Sequence, residues 1–205
     1  MINEYLTGAL TGAGLIIAIG PQNAFVITQG LKKQHSLMVA FLCSLSDVVL
    51  IGLGVLGMGR MIQSIPWLLT VATILGSLLL YCYGIRNFIS AWKNNNAFHE
   101  VEYAQQSIYK TILFTLGITF LNPSVYLDTM IFLGSMSATY EHPGNYYFGL
   151  GAMTMSFVWF FGISIGAVLL APLFKKKRTW QILDIILGIL MWVIATKLIF
   201  SLDYF

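Results

Sequence analysis

Long apolar stretches alternate with short polar ones along the whole chain. Six of the apolar stretches reach the length of about 20 residues that spans a bilayer as a helix. They run approximately over Tyr5–Thr28, Leu37–Met61, Trp67–Trp92, Thr111–Gly134, Tyr146–Leu170 and Trp180–Leu202. Helical periodicity adds little here, because a helix facing lipid can be apolar all round. The longest polar interruption, Lys93–Lys110, leaves no room for a soluble domain. The start, Met1-Ile2-Asn3-Glu4, has no basic leader and no small-residue cleavage site follows it. The first stretch is therefore expected to be retained as a span rather than removed as a signal peptide. The pattern predicts an all-α integral membrane protein with six transmembrane helices, residues 1–205 forming one transmembrane domain.

The two halves of the chain match in order. Pro21 corresponds to Pro123, Ser46-Asp47-Val48 with Gly52 to Ser156-Phe157-Val158 with Gly162, and Ile74-Leu75-Gly76 to Ile186-Leu187-Gly188. The offsets of 102, 110 and 112 drift only as loop lengths would make them. A three-span unit reverses its direction in the membrane when it is repeated, so the expectation is an inverted repeat of about 1–92 and 111–205. Such folds place a binding site near the midplane, at interrupted helices. Gly20-Pro21-Gln22-Asn23 and Leu121-Asn122-Pro123-Ser124 are the corresponding interruptions. A proline inside a helix removes one backbone hydrogen bond. In lipid the freed carbonyl must find another donor or line a cavity. Asn23 and Asn122 are placed to cap these breaks or to hold a ligand there.

Composition sharpens the picture. The chain is 58% hydrophobic and 9% charged, too few charges to coat a water-soluble surface. Basic residues are lopsided across alternating loops. Lys32, Lys33, Arg86, Lys93, Lys110, Lys175, Lys176, Lys177 and Arg178 fall on one side, with only Arg60 and Lys197 on the other. The positive-inside rule puts the richer side in the cytoplasm and both termini outside it. The net charge of +3 thus reflects topology and contact with anionic lipid, and implies no nucleic-acid partner.

Two acids stand out inside the spans. A charged aspartate at mid-bilayer costs roughly 2.5–3.5 kcal/mol on insertion scales. Asp47 lies about 17 Å along span two at 1.5 Å per residue. Asp128 follows the Asn122-Pro123 break in span four. Arg86 and Lys197, the basic residues within the spans, sit near span ends where they can reach the interface. The two acids therefore have no evident basic partner at depth, and a role with a cation or a proton is the expectation. The competing reading is a pair of structural aspartates bonded to hydroxyls and amides. Asp184, beside the 175–178 cluster, reads as part of an interfacial ion pair. Tyr126, Trp159 and Trp192 would suit either helix packing or a cation–π wall. Cys43 and Cys82 form no CxxC pair and read as apolar packing residues. His35, His99 and His142 have no metal-ligand spacing, and no metal site or cofactor is expected.

These residues resemble the signature of a known family. The run Ile19-Gly20-Pro21-Gln22-Asn23-Ala24-Phe25-Val26 with Gln29-Gly30-Leu31 is similar to that of the lysine/arginine exporters, the LysE superfamily. So are Ser46-Asp47, Leu121-Asn122-Pro123-Ser124-Val125-Tyr126-Leu127-Asp128-Thr129, Trp159-Phe160-Phe161-Gly162 and Ala171-Pro172. The likeness is greatest to the arginine-exporter branch of bacterial inner-membrane proteins and covers nearly the whole chain. It implies efflux of basic amino acids without ATP or cofactor, and no enzymatic activity.

Moving a positive charge outward against an inside-negative potential costs about 2.3 kcal/mol per 100 mV. Exchange for one proton would make the cycle electroneutral, so a proton is the expected coupling ion. Asp47 and Asp128 can each bind either species. Gln22, Asn23, Asn122 and Tyr126, with the helix ends at Pro21 and Pro123, complete the candidate site for substrate and proton. Export of neutral amino acids is the alternative, with an intramembrane redox or metal-ion carrier ranked below it. Oligomeric state stays open, a homo-oligomer included. The charge pattern makes a direct prediction: single cysteines at Lys33 and Lys176 should react from the cytoplasm, and one at His142 from outside. Labelling of positions 176 and 142 from one side would overturn the six-span arrangement.

Overall fold

The structure is a computed structural model and describes residues 1–18, 20–58, 66–93, 107–174 and 177–200. Ile19, Arg60, His99, most of the polar loop, and the anchors Lys175 and Lys176 lie outside the described residues. What is described is almost all helix: α1 Ile2–Ile16, α2 Pro21–Lys32, α3 Ser36–Val55, α4 Pro66–Lys93, α5 Ile108–Phe120, α6 Pro123–Ser137, α7 Gly144–Leu170 and α8 Lys177–Phe200. A short 3-10 turn, Ala171–Phe174, follows α7.

Four of these helices, α3, α4, α7 and α8, are long and apolar enough to cross a membrane unaided. The other two expected spans are not continuous. The stretch expected over Tyr5–Thr28 is divided into α1 and α2, bent by 80°, and that over Thr111–Gly134 into α5 and α6, bent by 62°. Counting each bent pair as one crossing gives six. The breaks follow from local chemistry. The residue before a proline is pushed out of the helical region, and Gly20 (φ −121°, ψ 178°) and Asn122 (φ −94°, ψ 108°) are both extended. Pro21 and Pro123 then open the next helix, where a missing N–H is no loss.

Polarity is arranged inside out. Isoleucines, leucines and valines on the outer faces of α4 and α8, among them Leu78, Ile182 and Ile189, are exposed. Asn23, Gln29, Asp47, Thr115, Ser156 and Ser164 are buried. Water would favour the reverse, whereas hydrocarbon favours this.

Small residues let the helices touch by their backbones, as is common in membrane bundles. On α1, Gly8 and Gly12 lie one turn apart and face α7. A methyl group at Gly8 would come within 1.9 Å of the Phe148 carbonyl oxygen, and one at Gly12 within 3.0 Å of the Ala152 Cα. Gly151 faces back, a methyl there meeting the Tyr5 carbonyl oxygen at 2.0 Å. α3 also lies against α7, while α4 and α8 pack chiefly on each other. Trp192 of α8 is held edge-on between Tyr81 and Phe88 of α4. That aromatic is thereby committed to helix packing.

Filling the α1–α7 contact should cost stability. Gly8→Val or Gly151→Val should destabilise the folded protein by about 1–3 kcal/mol or more, the usual range for overpacking. Gly14→Ala, with no atom within 4 Å of the new methyl, should be neutral or slightly stabilising. Thermal midpoints in detergent would check both.

Candidate functional site

The two breaks meet across one cavity of about 270 Å³. Gly20, Pro21, Gln22 and Asn23 line it from the first break, and Asn122, Ser124 and Asp128 from the second. Asp47, from the middle of α3, and Thr129, Phe160 and Ile194 complete much of the wall. No basic side chain is among the lining residues. Both carboxylates singled out in the sequence therefore face the same space.

Their settings differ. Asp47 is 3% exposed and accepts a hydrogen bond from the Ser156 hydroxyl at 2.8 Å, tying α3 to α7. Asp128 is half-buried, and its carboxylate makes no hydrogen bond or ion pair with another described residue. It sits in a widened helical stretch, Tyr126–Leu133, with the hydrogen-bonding pattern of a π-helix. Such widened turns are rare and recur at functional sites.

The amides hold the breaks. Asn23 donates both N–H groups, to the carbonyls of Ile16 at 2.9 Å and Ala18 at 2.8 Å, so the loose end of α1 is satisfied. Its own oxygen accepts from the Trp159 indole N–H at 3.2 Å. Asn122 accepts from the Ser124 N–H at 3.2 Å and so caps α6. Gln22 donates to the Thr119 hydroxyl at 2.9 Å, bridging the two broken spans. Thr119 belongs to a buried column with Thr111 and Thr115, each hydroxyl donating to the carbonyl four residues back.

Two expected site residues stand elsewhere. Tyr126 is not among the lining residues. Its hydroxyl donates to the Phe120 carbonyl at 2.8 Å, closing the end of α5, and its ring packs on the Leu50, Val125 and Met130 cluster. Pro123 is buried behind its neighbours Asn122 and Ser124, and shapes the break from there. Trp159 reaches the site through Asn23. Asp184 is buried and bonded to the Ser90 hydroxyl at 2.7 Å; Lys175 and Lys176, expected beside it, lie outside the described residues. Ser156, Thr119 and Ser124 were given no role in the sequence, and Trp159, read as packing or a cation–π wall, instead donates to Asn23. Ser156 carried a faint signal, standing at the repeat position of Ser46 next to Asp47.

Cys43 is buried and Cys82 exposed, and both are free. Among the described residues no group of three His, Cys, Asp or Glu side chains could hold a metal ion. The N-termini of α2 and α6 carry partial positive charge at the same cavity.

The family model for LysE type translocators matches residues 13–202. The chain is 40% identical over 198 residues to proteins named "Arginine exporter protein ArgO" from Salmonella paratyphi B, Salmonella enteritidis PT4 and Salmonella typhi. Those alignments cover 97% of this chain and 94% of each relative. No solved structure matches it. With the family model spanning nearly the whole chain, this protein belongs to the LysE family of translocators and is a transporter, not an enzyme.

Proposed function

We propose that this protein exports basic L-amino acids, arginine and/or lysine, across the bacterial inner membrane in exchange for protons. The observation that carries the reading is the cavity shared by Asp47, Asp128 and both helix breaks, with no basic side chain among its described lining residues. The relatives named as arginine exporters support the cargo.

A basic amino acid offers one carboxylate and two cationic groups. The N-terminal ends of α2 and α6 suit the carboxylate, since the helix dipole favours an anion there. Asp128, whose carboxylate has no partner among the described residues, suits a cationic head group. Asp47, deeper and held by Ser156, suits the second cation or the counter-moving proton. Asn23, with its hydrogen-bonding groups engaged, keeps the first break in shape, and Asn122 does the same for the second. Gln22 joins the two halves beneath the substrate.

The transport cycle is proposed to rest on an inverted repeat. Corresponding helices pair across the centre, α3 with α7 and α4 with α8, as a two-fold axis in the membrane plane allows. Close contacts also correspond. Gly30 of α2 packs against Ser164 and Ala167 of α7, and Gly134 of α6 packs against Gly54 of α3. Gly54 and Ser164 stand at the same 110-residue offset as Ser46 and Ser156. Both termini are proposed to lie outside the cytoplasm, with the Lys32–Lys33 end inside, in one domain of unspecified oligomeric state.

Efflux from dipeptide-loaded cells or proteoliposomes, comparing arginine, lysine, threonine and leucine, tests the cargo. Asp47→Asn and Asp128→Asn should each lower arginine efflux by roughly 10–100-fold, the scale of one lost hydrogen bond to a charge. Both variants should remain inserted. Normal arginine export by both would refute the electrostatic reading, and faster export of leucine than of arginine would reassign the cargo.

A further inference from the structure

The cavity is one-sided. From Gln22 its walls lead to Leu15, Leu133 and Ile194, on segments running away from the Lys32–Lys33 end. Toward that end the space is filled. Phe25 of α2, Tyr83 of α4 and Phe114 of α5 converge there, with ring centroids 4.7 Å apart for Phe25–Phe114, 4.7 Å for Tyr83–Phe114 and 6.1 Å for Phe25–Tyr83. Phe25 lies one turn beyond Gln22, whose bond to Thr119 closes the layer above.

A second observation is independent of the rings. One turn further toward the Lys32–Lys33 end, each of the same three helices buries a polar side chain: Gln29 on α2, Asn87 on α4 and Thr111 on α5. The Gln29 Oε1 and the Asn87 Nδ2 have no hydrogen-bond partner among the described residues. Stranded polar atoms are costly in a dry core and call for an explanation. Helix packing alone supplies none, since apolar side chains would serve it better. Water or a polar solute in another conformation would account for both stranded atoms and for the buried Thr111 beside them. The arrangement also allows movement, because α4 packs chiefly on α8 and only sparsely on α2 and α5.

We infer that Phe25, Tyr83 and Phe114 form the cytoplasmic gate of the transport path, closed in this structure. Gln29, Asn87 and Thr111 line the vestibule through which a hydrophilic, cationic amino acid enters when the rings part. The inference rests on the exporter reading and its orientation, and adds the barrier and the entry route to it.

The chain's own Cys43, fully buried in the same core cluster, is the reporter, in a Cys82→Ser background. An impermeant methanethiosulfonate is applied to the cytoplasmic or the outer face of oriented membrane vesicles. Phe25→Ala/Phe114→Ala should label Cys43 at least about tenfold faster from the cytoplasmic face, as local opening becomes easier, and no faster from the outer face. Phe114→Leu, a milder change, should act in the same direction if the double variant fails to fold. Gln29→Met and Asn87→Leu remove the stranded groups. They should lower arginine efflux by about tenfold, the effect of roughly one hydrogen bond along the path, without lowering the thermal midpoint. Labelling that does not rise, or rises only from outside, overturns the gate, and normal export by both polar-to-apolar variants overturns the vestibule. The labelling arm needs no substrate. Absence of arginine efflux from the unmutated protein would count against the exporter reading alone.

Discussion

Hydrocarbon offers no hydrogen bonds, so a helix interrupted in a bilayer must find partners inside the protein for every backbone group it frees. The whole site is organised by that demand. Pro21 and Pro123 make the interruptions, and the freed groups are then claimed one by one. Asn23 takes the carbonyls of Ile16 and Ala18, Tyr126 takes that of Phe120, and Asn122 covers the N–H of Ser124. Each unsatisfied group would cost on the order of 1–3 kcal/mol. The N-terminal ends of α2 and α6 are left facing the cavity shared by Asp47 and Asp128.

Rigidity and looseness are distributed around that space. α1 is locked on α7 by glycines that bring backbones into contact, and α3 is bound to α7 by the Asp47–Ser156 hydrogen bond. α4 and α8 instead form a pair of their own, bonded internally by Trp192, Tyr81 and Phe88. A carboxylate fixed by a serine on the neighbouring helix keeps its position while other elements move. A carboxylate on a widened turn, as at Asp128, has no such tether among the described residues.

Much of this was legible before any coordinates, for reasons that differ by residue. The breaks were readable because proline acts locally: it removes its own N–H and constrains the residue before it, whatever surrounds them. Asp47 and Asp128 were readable because a carboxylate in an apolar run is conspicuous against its solvent. The bends were not. Nothing in Tyr5–Thr28 distinguishes a kinked span from two helices at 80°, since that angle is set by what α1 packs against. Tyr126 looked like a site residue by its neighbours in sequence, yet its hydroxyl found a nearer acceptor. Trp159 and Gln29 stood out only as members of the signature runs, and their roles were not legible, because these lie in contacts or missing contacts with other helices. The π stretch around Asp128 was equally silent, being a matter of backbone register.

The threonine column of α5 carries a consequence of its own. Each of its hydroxyls spends its proton on a carbonyl of the same helix, one turn back, and so carries its acceptor wherever the helix goes. Neighbours can slide along such a face, or be replaced there by water, without stranding a donor on either surface. Only the bond from Gln22 to Thr119 must part, and the amide leaving it is free to seek water or a solute. The column behaves as a bearing surface: polar enough to be wetted, and self-contained enough not to stick.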